Sequence, residues 1–305
     1  MEKNKAYYQE RLREMKRQKN CFVMAHNYVD YDVQEVADYV GDSLQMAQVA
    51  ARQDHAMLLV CSIRIMGETA KLLNPNKKVL MAHATADCQL ANMQTSHSLR
   101  ELRQAHPDAE VVCYVNSPAT LKAESTISCT SANCIDVVNS IPKDKEIIFV
   151  PDCNIGKWVE HNTGRKMIMF SSYCYVHHQI DLEEARAVKR QYPDHALLVH
   201  PECNLDVCTF ADVVCSTSQM IDYVKHHDKA IIGTETGLYN QLRHRWPNKR
   251  LVPLSTRMVC EDMKLNTLAL ACDALEHERH EVTLDECTTQ AMGRSLERML
   301  ELFRT

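Results

Sequence analysis

The stretch MAHATADCQL (residues 81–90) follows an apolar, strand-like run and carries a single cysteine, Cys88, at its polar end. The layout returns twice. KMIMFSSYCY (166–175) reaches Cys174 just before its last residue, and RLVPLSTRMVC (250–260) ends on Cys260. The three cysteines stand 86 residues apart. A fixed interval of that length predicts three copies of one folding unit.

Working outward from each cysteine, the copies can be aligned. RQKNCFVMAHNYVD (17–30), RQAHPDAEVVCYVNSP (103–118) and RQYPDHALLVHPEC (190–203) each read as the end of a charged helix, a turn and a short apolar strand. Tyr28, Tyr114 and His200 fall in register, as do Asn116 and Glu202. Next come VADYVGDSLQMAQVAA (36–51), STISCTSANCIDVVNS (125–140) and FADVVCSTSQMIDYVKH (210–226). Ser43, Ser131 and Ser218 there are expected as helix N-caps. The third strands are AMLLVCS (56–62), EIIFVPD (146–152) and AIIGTET (230–236), and the fourth lead to the three cysteines. Asp32 with Glu35 makes a capping-box pattern, and Val33, Val36, Ala37 and Val40 form one stripe, so a helix is expected over 33–40.

Alternating strands and helices with near-continuous apolar strands predict an α/β fold with parallel sheets covered on both faces. The expectation is three α/β/α sandwich domains, related by a pseudo-threefold axis around a central site. Their ranges are 1–88, 89–174 and 175–260, with a helical 261–305 packing back on the first. Sites in parallel sheets form beyond the carboxyl ends of the strands, where the aligned polar residues lie.

Bulk properties narrow the function. The chain has 305 residues and a formal net charge of −5, which gives a nucleic-acid surface no global support. No apolar run approaches the roughly 20 residues that span a bilayer. The charged opening MEKNKAYYQERLREMKRQKN reads as a helix rather than an export signal. With 14 cysteines, no CxxC pair and many thiols inside apolar runs (Cys21, Cys61, Cys113), a reduced, cytoplasmic protein is expected. Cys129 with Cys134, and Cys203 with Cys208, have spacings that suit no common metal site.

Three thiolates, one per copy, suit a soft metal centre. Zinc with a fourth ligand fits, and so does a 4Fe–4S cluster with one iron left open as a Lewis acid. Glu202 and His200 in HPEC are the best acid/base candidates, and His26, Tyr28, Tyr114 and Asn116 could orient a substrate or move protons. Helix starts at Ser43, Ser131 and Thr217–Ser218 offer backbone N–H groups to an anion. His177 and His178 follow Cys174, and one of them is expected behind it; His97, His226, His227 and His277 read as surface residues. A hydro-lyase using zinc or a cluster on another small acid, and a non-catalytic iron–sulfur redox sensor, remain alternatives on these residues alone.

Ten stretches carry a resemblance: AHNYVDYDVQEVADYVGDSL, GETAKLLNP, ADCQLANM, YVNSPATLKAES, CTSAN, FVPDCNIGKWV, HPEC, STSQM, IIGTETGL and CEDMKLNTL. Together they run from residue 25 to residue 268, and in them the chain resembles the quinolinate synthase A family of bacterial NAD biosynthesis. The resemblance implies a 4Fe–4S cluster held by Cys88, Cys174 and Cys260. It implies condensation of iminosuccinate with dihydroxyacetone phosphate to quinolinate, with loss of phosphate and two waters. Substrate contacts are implied at His26, Ser43, Tyr114, Val115, Asn116, Ser131, His200, Pro201, Glu202 and Thr217, with Tyr28, His200 and Glu202 in catalysis. An aspartate oxidase or dehydrogenase is the implied supplier of iminosuccinate. Two places depart from the family pattern. Arg64 and Ile65 stand where a histidine and an aromatic are usual, and SSYCYVHH differs around Cys174 while keeping His177.

Overall fold

The computed structural model describes residues 4–302. The first repeat runs α1 (Lys5–Gln18), β1 (Cys21–His26), α2 (Tyr31–Gln34), β2 (Tyr39–Gly41), α3 (Ser43–Ala51), β3 (Met57–Cys61), α4 (Arg64–Leu73) and β4 (Lys78–Met81). The second runs α5 (Gln89–Asn92), α6 (Ser96–Ala105), β5 (Glu110–Tyr114), α7 (Ala119–Ala123), β6 (Ile127–Cys129), α8 (Cys134–Ser140), β7 (Ile147–Val150), α9 (Cys153–Thr163) and β8 (Ile168–Met169). The third runs α10 (Tyr175–His178), α11 (Leu182–Gln191), β9 (Ala196–Val199), α12 (Leu205–Phe210), β10 (Val213–Val214), α13 (Thr217–His226), β11 (Lys229–Gly233), α14 (Thr236–Arg245) and β12 (Arg250–Pro253). Helices α15 (Glu261–Lys264), α16 (Leu268–His277) and α17 (Glu286–Glu301) follow.

Each repeat forms its own four-stranded sheet with the same order: β2-β1-β3-β4, β6-β5-β7-β8 and β10-β9-β11-β12. Every named pair is parallel. The fold is therefore α/β with three separate small parallel sheets flanked by helices. The central strands are buried along their length, as β1 and β3 show, because helices cover both faces of a parallel sheet. In the second sheet Val111, Cys113, Ile148 and Val150 pack with Leu99 and Leu121 from helices of that repeat.

In each sheet the chain steps outward from the first strand to the second, then returns to the other side for the third. That reversal lies between the two central strands, and it leaves a crevice at their carboxyl ends.

The chain divides into two compact units. One contains residues 1–88 and 260–285; the other contains 89–259 and 286–305, and so holds the second and third sheets. In the first unit α1 packs on α16, and Val282 N–H donates to the Val79 carbonyl at 2.8 Å. The expected return of 261–305 to the first repeat does not extend to its last helix. Helix α17 packs on α7 and β6 of the second repeat, burying Met292, Leu296 and Met299, with Ser295 Oγ 3.1 Å from Ser128 Oγ.

The helix expected over 33–40 is only α2, a single turn over residues 31–34, with no side-chain cap at Asp30. Strand pairing overrides the apolar stripe: Asp38 N–H donates to the Val23 carbonyl at 2.8 Å and the chain enters β2. Asp32 and Glu35 instead meet Lys5, at 2.5 and 2.7 Å. The expected serine caps are displaced as well. Asp42 caps α3 and Ser216 caps α13, each with a full capping box, so Ser43 and Thr217 become the first helical residues. At α8 the side chain of Asn133 accepts from Thr130 N–H at 2.7 Å within the preceding turn.

Candidate functional site

The cysteines separate by burial. Ten of the 14 are buried, Cys287 is exposed, and the three half-buried ones are Cys88, Cys174 and Cys260. Each of these three stands immediately before a short helix, α5, α10 or α15. Thiols of the buried set are poor ligands: burial pushes Cys21, Cys61, Cys134, Cys208 and Cys215 up to about 12. The donor set thus fits the soft-metal reading, with half-buried thiols at the interval positions and, apart from the exposed Cys287, buried ones elsewhere.

Cys174 anchors the site of the second unit. Its N–H donates to Asp152 Oδ2 at 3.1 Å, and its Sγ lies 3.3 Å from Nδ1 of His177, one turn on. His177 is fully buried; the same Nδ1 lies 2.9 Å from Glu202 Oε2, and Nε2 lies 2.9 Å from Thr234 Oγ1. Burial holds His177 below the ordinary imidazole value, so it is neutral. Its Nδ1–H then donates toward Glu202, and Nε2 accepts from the threonine hydroxyl. Atoms of Cys174, His177 and Glu202 all lie within 4.8 Å of one another and could also hold a metal ion.

Two buried carboxyls here are driven apart. Burial opposes ionisation of Glu202, but His200 and the hydrogen bond from His177 outweigh it and hold the group well below the usual carboxylate range. Asp152 is fully buried, and burial reinforced by the nearby Glu202 raises it well above that range. The two carboxyls are thus shifted in opposite directions, the pattern by which acid and base roles are divided. Asn154 Nδ2 donates to the Glu202 carbonyl at 3.0 Å, and the His200 ring stacks on His177 at 4.8 Å.

Further site residues of this unit lie at other strand ends. Tyr114 closes β5, and Asn116 Nδ2 donates to its Oη at 3.0 Å. Val115 and Pro201 are buried, Ser131 is half-buried in the turn before α8, and Thr217 is buried at the first turn of α13.

The first unit carries His26, Tyr28, Ser43, Cys88 and Cys260. His26 is buried at the end of β1; its Nδ1 accepts Tyr28 N–H at 3.2 Å and its ring meets the half-buried Tyr28 edge-on at 4.6 Å. Cys88 N–H donates to Asp87 Oδ1 at 2.8 Å, and Asp87 N–H to Asp262 Oδ1 at 3.2 Å, which joins the Cys88 segment to α15. Ser43 is half-buried at the start of α3.

Sequence reasoning placed one histidine behind Cys174, and His177 is that residue. It passed over Asp152 and Thr234, although both end third strands in the aligned blocks FVPD and IIGTET. Glu235, next to Thr234, is fully buried and accepts Gly237 N–H at 2.6 Å as the cap of α14. Arg64 is exposed and pairs with Glu68 at 3.2 Å, while Ile65 is buried. The surface assignment of His97, His226, His227 and His277 agrees with their exposure.

The chain is similar to curated proteins named quinolinate synthase. One from Caldicellulosiruptor saccharolyticus is 40% identical over 294 residues, covering 95% of this chain and 97% of its own length. Another from Methanoregula boonei is 42% identical over 299 residues, covering 97% and 99%. A third, from Alkaliphilus metalliredigens, is 40% identical over 294 residues. The family described as NadA, quinolinate synthetase A protein, matches residues 10–301, and the chain belongs to that family.

Proposed function

We propose that this protein is a quinolinate synthase of NAD biosynthesis, and that Cys88, Cys174 and Cys260 together hold one 4Fe–4S cluster. The observation that carries the reading is the burial pattern of the cysteines: the half-buried three are those at the 86-residue interval. The substrates are iminosuccinate and dihydroxyacetone phosphate. Their atoms balance as quinolinate, phosphate and two waters, with no external oxidant or reductant. When bound, a cluster with one iron free of cysteine supplies a Lewis acid for a carboxylate or hydroxyl.

The chain's own groups divide the remaining work. Glu202, ionised and 3% exposed, takes protons from carbon or nitrogen during imine formation and the two dehydrations. His177 orients its carboxylate, His200 accepts its backbone N–H, and Thr234 fixes the His177 ring. Asn116 donates to the Tyr114 oxygen and so orients that phenol toward the triose-derived chain. Thr217 and Ser43, at the first turns of ten- and nine-residue helices, offer hydroxyls and backbone N–H groups to phosphate or carboxylate, and Ser131 lies in the turn before α8. Val115 and Pro201 line the strand ends, and Tyr28 orients substrate beside His26.

No described helix is long and apolar enough to cross a membrane. A cytoplasmic enzyme supplied by an aspartate oxidase or dehydrogenase fits the chemistry of an unstable imine substrate. Anaerobic purification followed by assay for quinolinate, with iron and acid-labile sulfide measured on the same sample, tests the proposal. A brown protein with about four irons per chain that forms quinolinate is expected. A colourless zinc protein, or a cluster protein inert to both substrates, would overturn it.

A further inference from the structure

The loop after β1 is tied down by side chains at four successive residues. Gln34 Nε2, from α2, donates to the carbonyls of Asn27 at 3.1 Å and Val29 at 2.9 Å. Lys264 Nζ, from α15, donates to the Tyr28 carbonyl between them at 2.6 Å and lies 3.5 Å from Asp30 Oδ1. Gln34 is 5% exposed, and among the described residues its Oε1 has no hydrogen-bond partner. An orphaned buried acceptor is destabilising. Flipping the amide would give up both bonds to the loop, so the side chain is set by what the loop needs.

Lys264 lies 236 residues from Tyr28 in sequence, on a helix of four residues that begins directly after Cys260. The same helix carries Asp262, whose carboxylate accepts the N–H of Asp87, next to Cys88. One helical turn therefore meets the Cys260 segment, the Cys88 segment and the Tyr28 backbone, all within the first unit.

We infer that α15 is a strut through which ligation at Cys260 and Cys88 sets the position of Tyr28, with Lys264 as the positioning residue. This rests on the proposed cluster-bearing function. With both sulfurs bound, the first turn of α15 is fixed at its start and through Asp262, so the ammonium is presented to the Tyr28 carbonyl at a defined place. With the sulfurs released, that turn keeps only the Asp262 bond and the buried Met263, so Lys264 holds the loop from a looser support. A lysine suits the task because one compact ammonium carries three donors and serves both the carbonyl and Asp30.

Hydrogen–deuterium exchange on anaerobic wild-type protein, cluster-loaded and chelator-stripped, tests the coupling. The reporters are the amides of Tyr28 and Val29, which donate to His26 Nδ1 and to the His26 carbonyl, both at 3.2 Å. Stripping should speed their exchange about tenfold while strand β5 is unchanged. K264M should exchange fast in both states, keep the wild-type iron content and visible spectrum, and lose kcat. K264R should restore the difference between states. Equal exchange at 28–29 in loaded and stripped wild type, or wild-type exchange in K264M, would overturn the strut. Iron and sulfide measured first separate the two ideas: a chain that binds no cluster removes the proposed function and the strut with it, whereas a loaded chain with indifferent exchange removes only the strut.

Discussion

The first and third sheets end in the same local device and reinforce it differently. His26 Nδ1 accepts the N–H of Tyr28 at 3.2 Å; His200 Nδ1 accepts the N–H of Glu202 at 3.3 Å. At the third sheet the side chain itself is held, with Glu202 buried against His177. At the first, the backbone is held through carbonyls and the Tyr28 ring stays half-buried. The chemistry of the group accounts for the difference. A buried carboxylate needs donors to remain ionised, whereas a neutral phenol needs only a fixed direction.

The largest effect that bears on this contrast lies outside both corners. Changing Cys88, Cys174 or Cys260 to Ala should abolish quinolinate formation while far-ultraviolet circular dichroism stays near wild type, since these thiols are half-buried. Collapse of the fold would assign the metal a structural task. Next comes E202Q, which keeps the shape but not the charge. A loss in kcat of about 10²–10⁴-fold is expected with iron content unchanged. Y28F should cost less, about tenfold, because it removes one hydrogen-bonding group and no buried charge. Equal losses in the two variants would erase the distinction between the corners.

Backbone support of the third sheet can be probed separately. A Cβ at Gly233 would lie 2.7 Å from the Leu198 carbonyl oxygen and 2.8 Å from Val199 Cγ1, across the β11–β9 pair. G233A should lower stability by about 1–3 kcal/mol, read as a lower midpoint of thermal unfolding. The smallest effect belongs to the surface of the first unit. Hydrogen bonds and charge from Lys19 and Lys78 lower Glu278 to about 2. Its contribution is present above the ordinary carboxylate pKa and disappears as pH falls through about 2. E278Q should flatten the acid limb of the stability curve in that window, and added salt should shrink the difference because the group is exposed.

The architecture was legible because repetition amplifies weak signals. One strand of four apolar residues is ambiguous, but three in register at a fixed interval are not. Caps were misplaced by one or two residues because GDS and CSTS each offer several competent side chains in a row. Which one caps depends on where the backbone leaves the extended region, as at Asp42 and Ser216. Glu202 stood out through its register with Asn116, whereas Asp152 was hidden inside an apolar strand block. Lys264 carried no local signal at all, since its partner is a carbonyl 236 residues away and any residue type could have supplied it.

The interrupted first unit bears on how the protein is made. Its opening helix α1 packs on α16, and Cys272 Sγ reaches the Tyr8 carbonyl at 3.3 Å. A chain emerging from the ribosome cannot finish that unit until the segment up to residue 285 has been synthesised, whereas the second and third sheets have all their strands earlier. Domains tend to fold as they emerge, and late, distant contacts form slowly. Cys260 is therefore among the last pieces of its unit, and a metal held in part by Cys260 would be taken up only after both segments have been made.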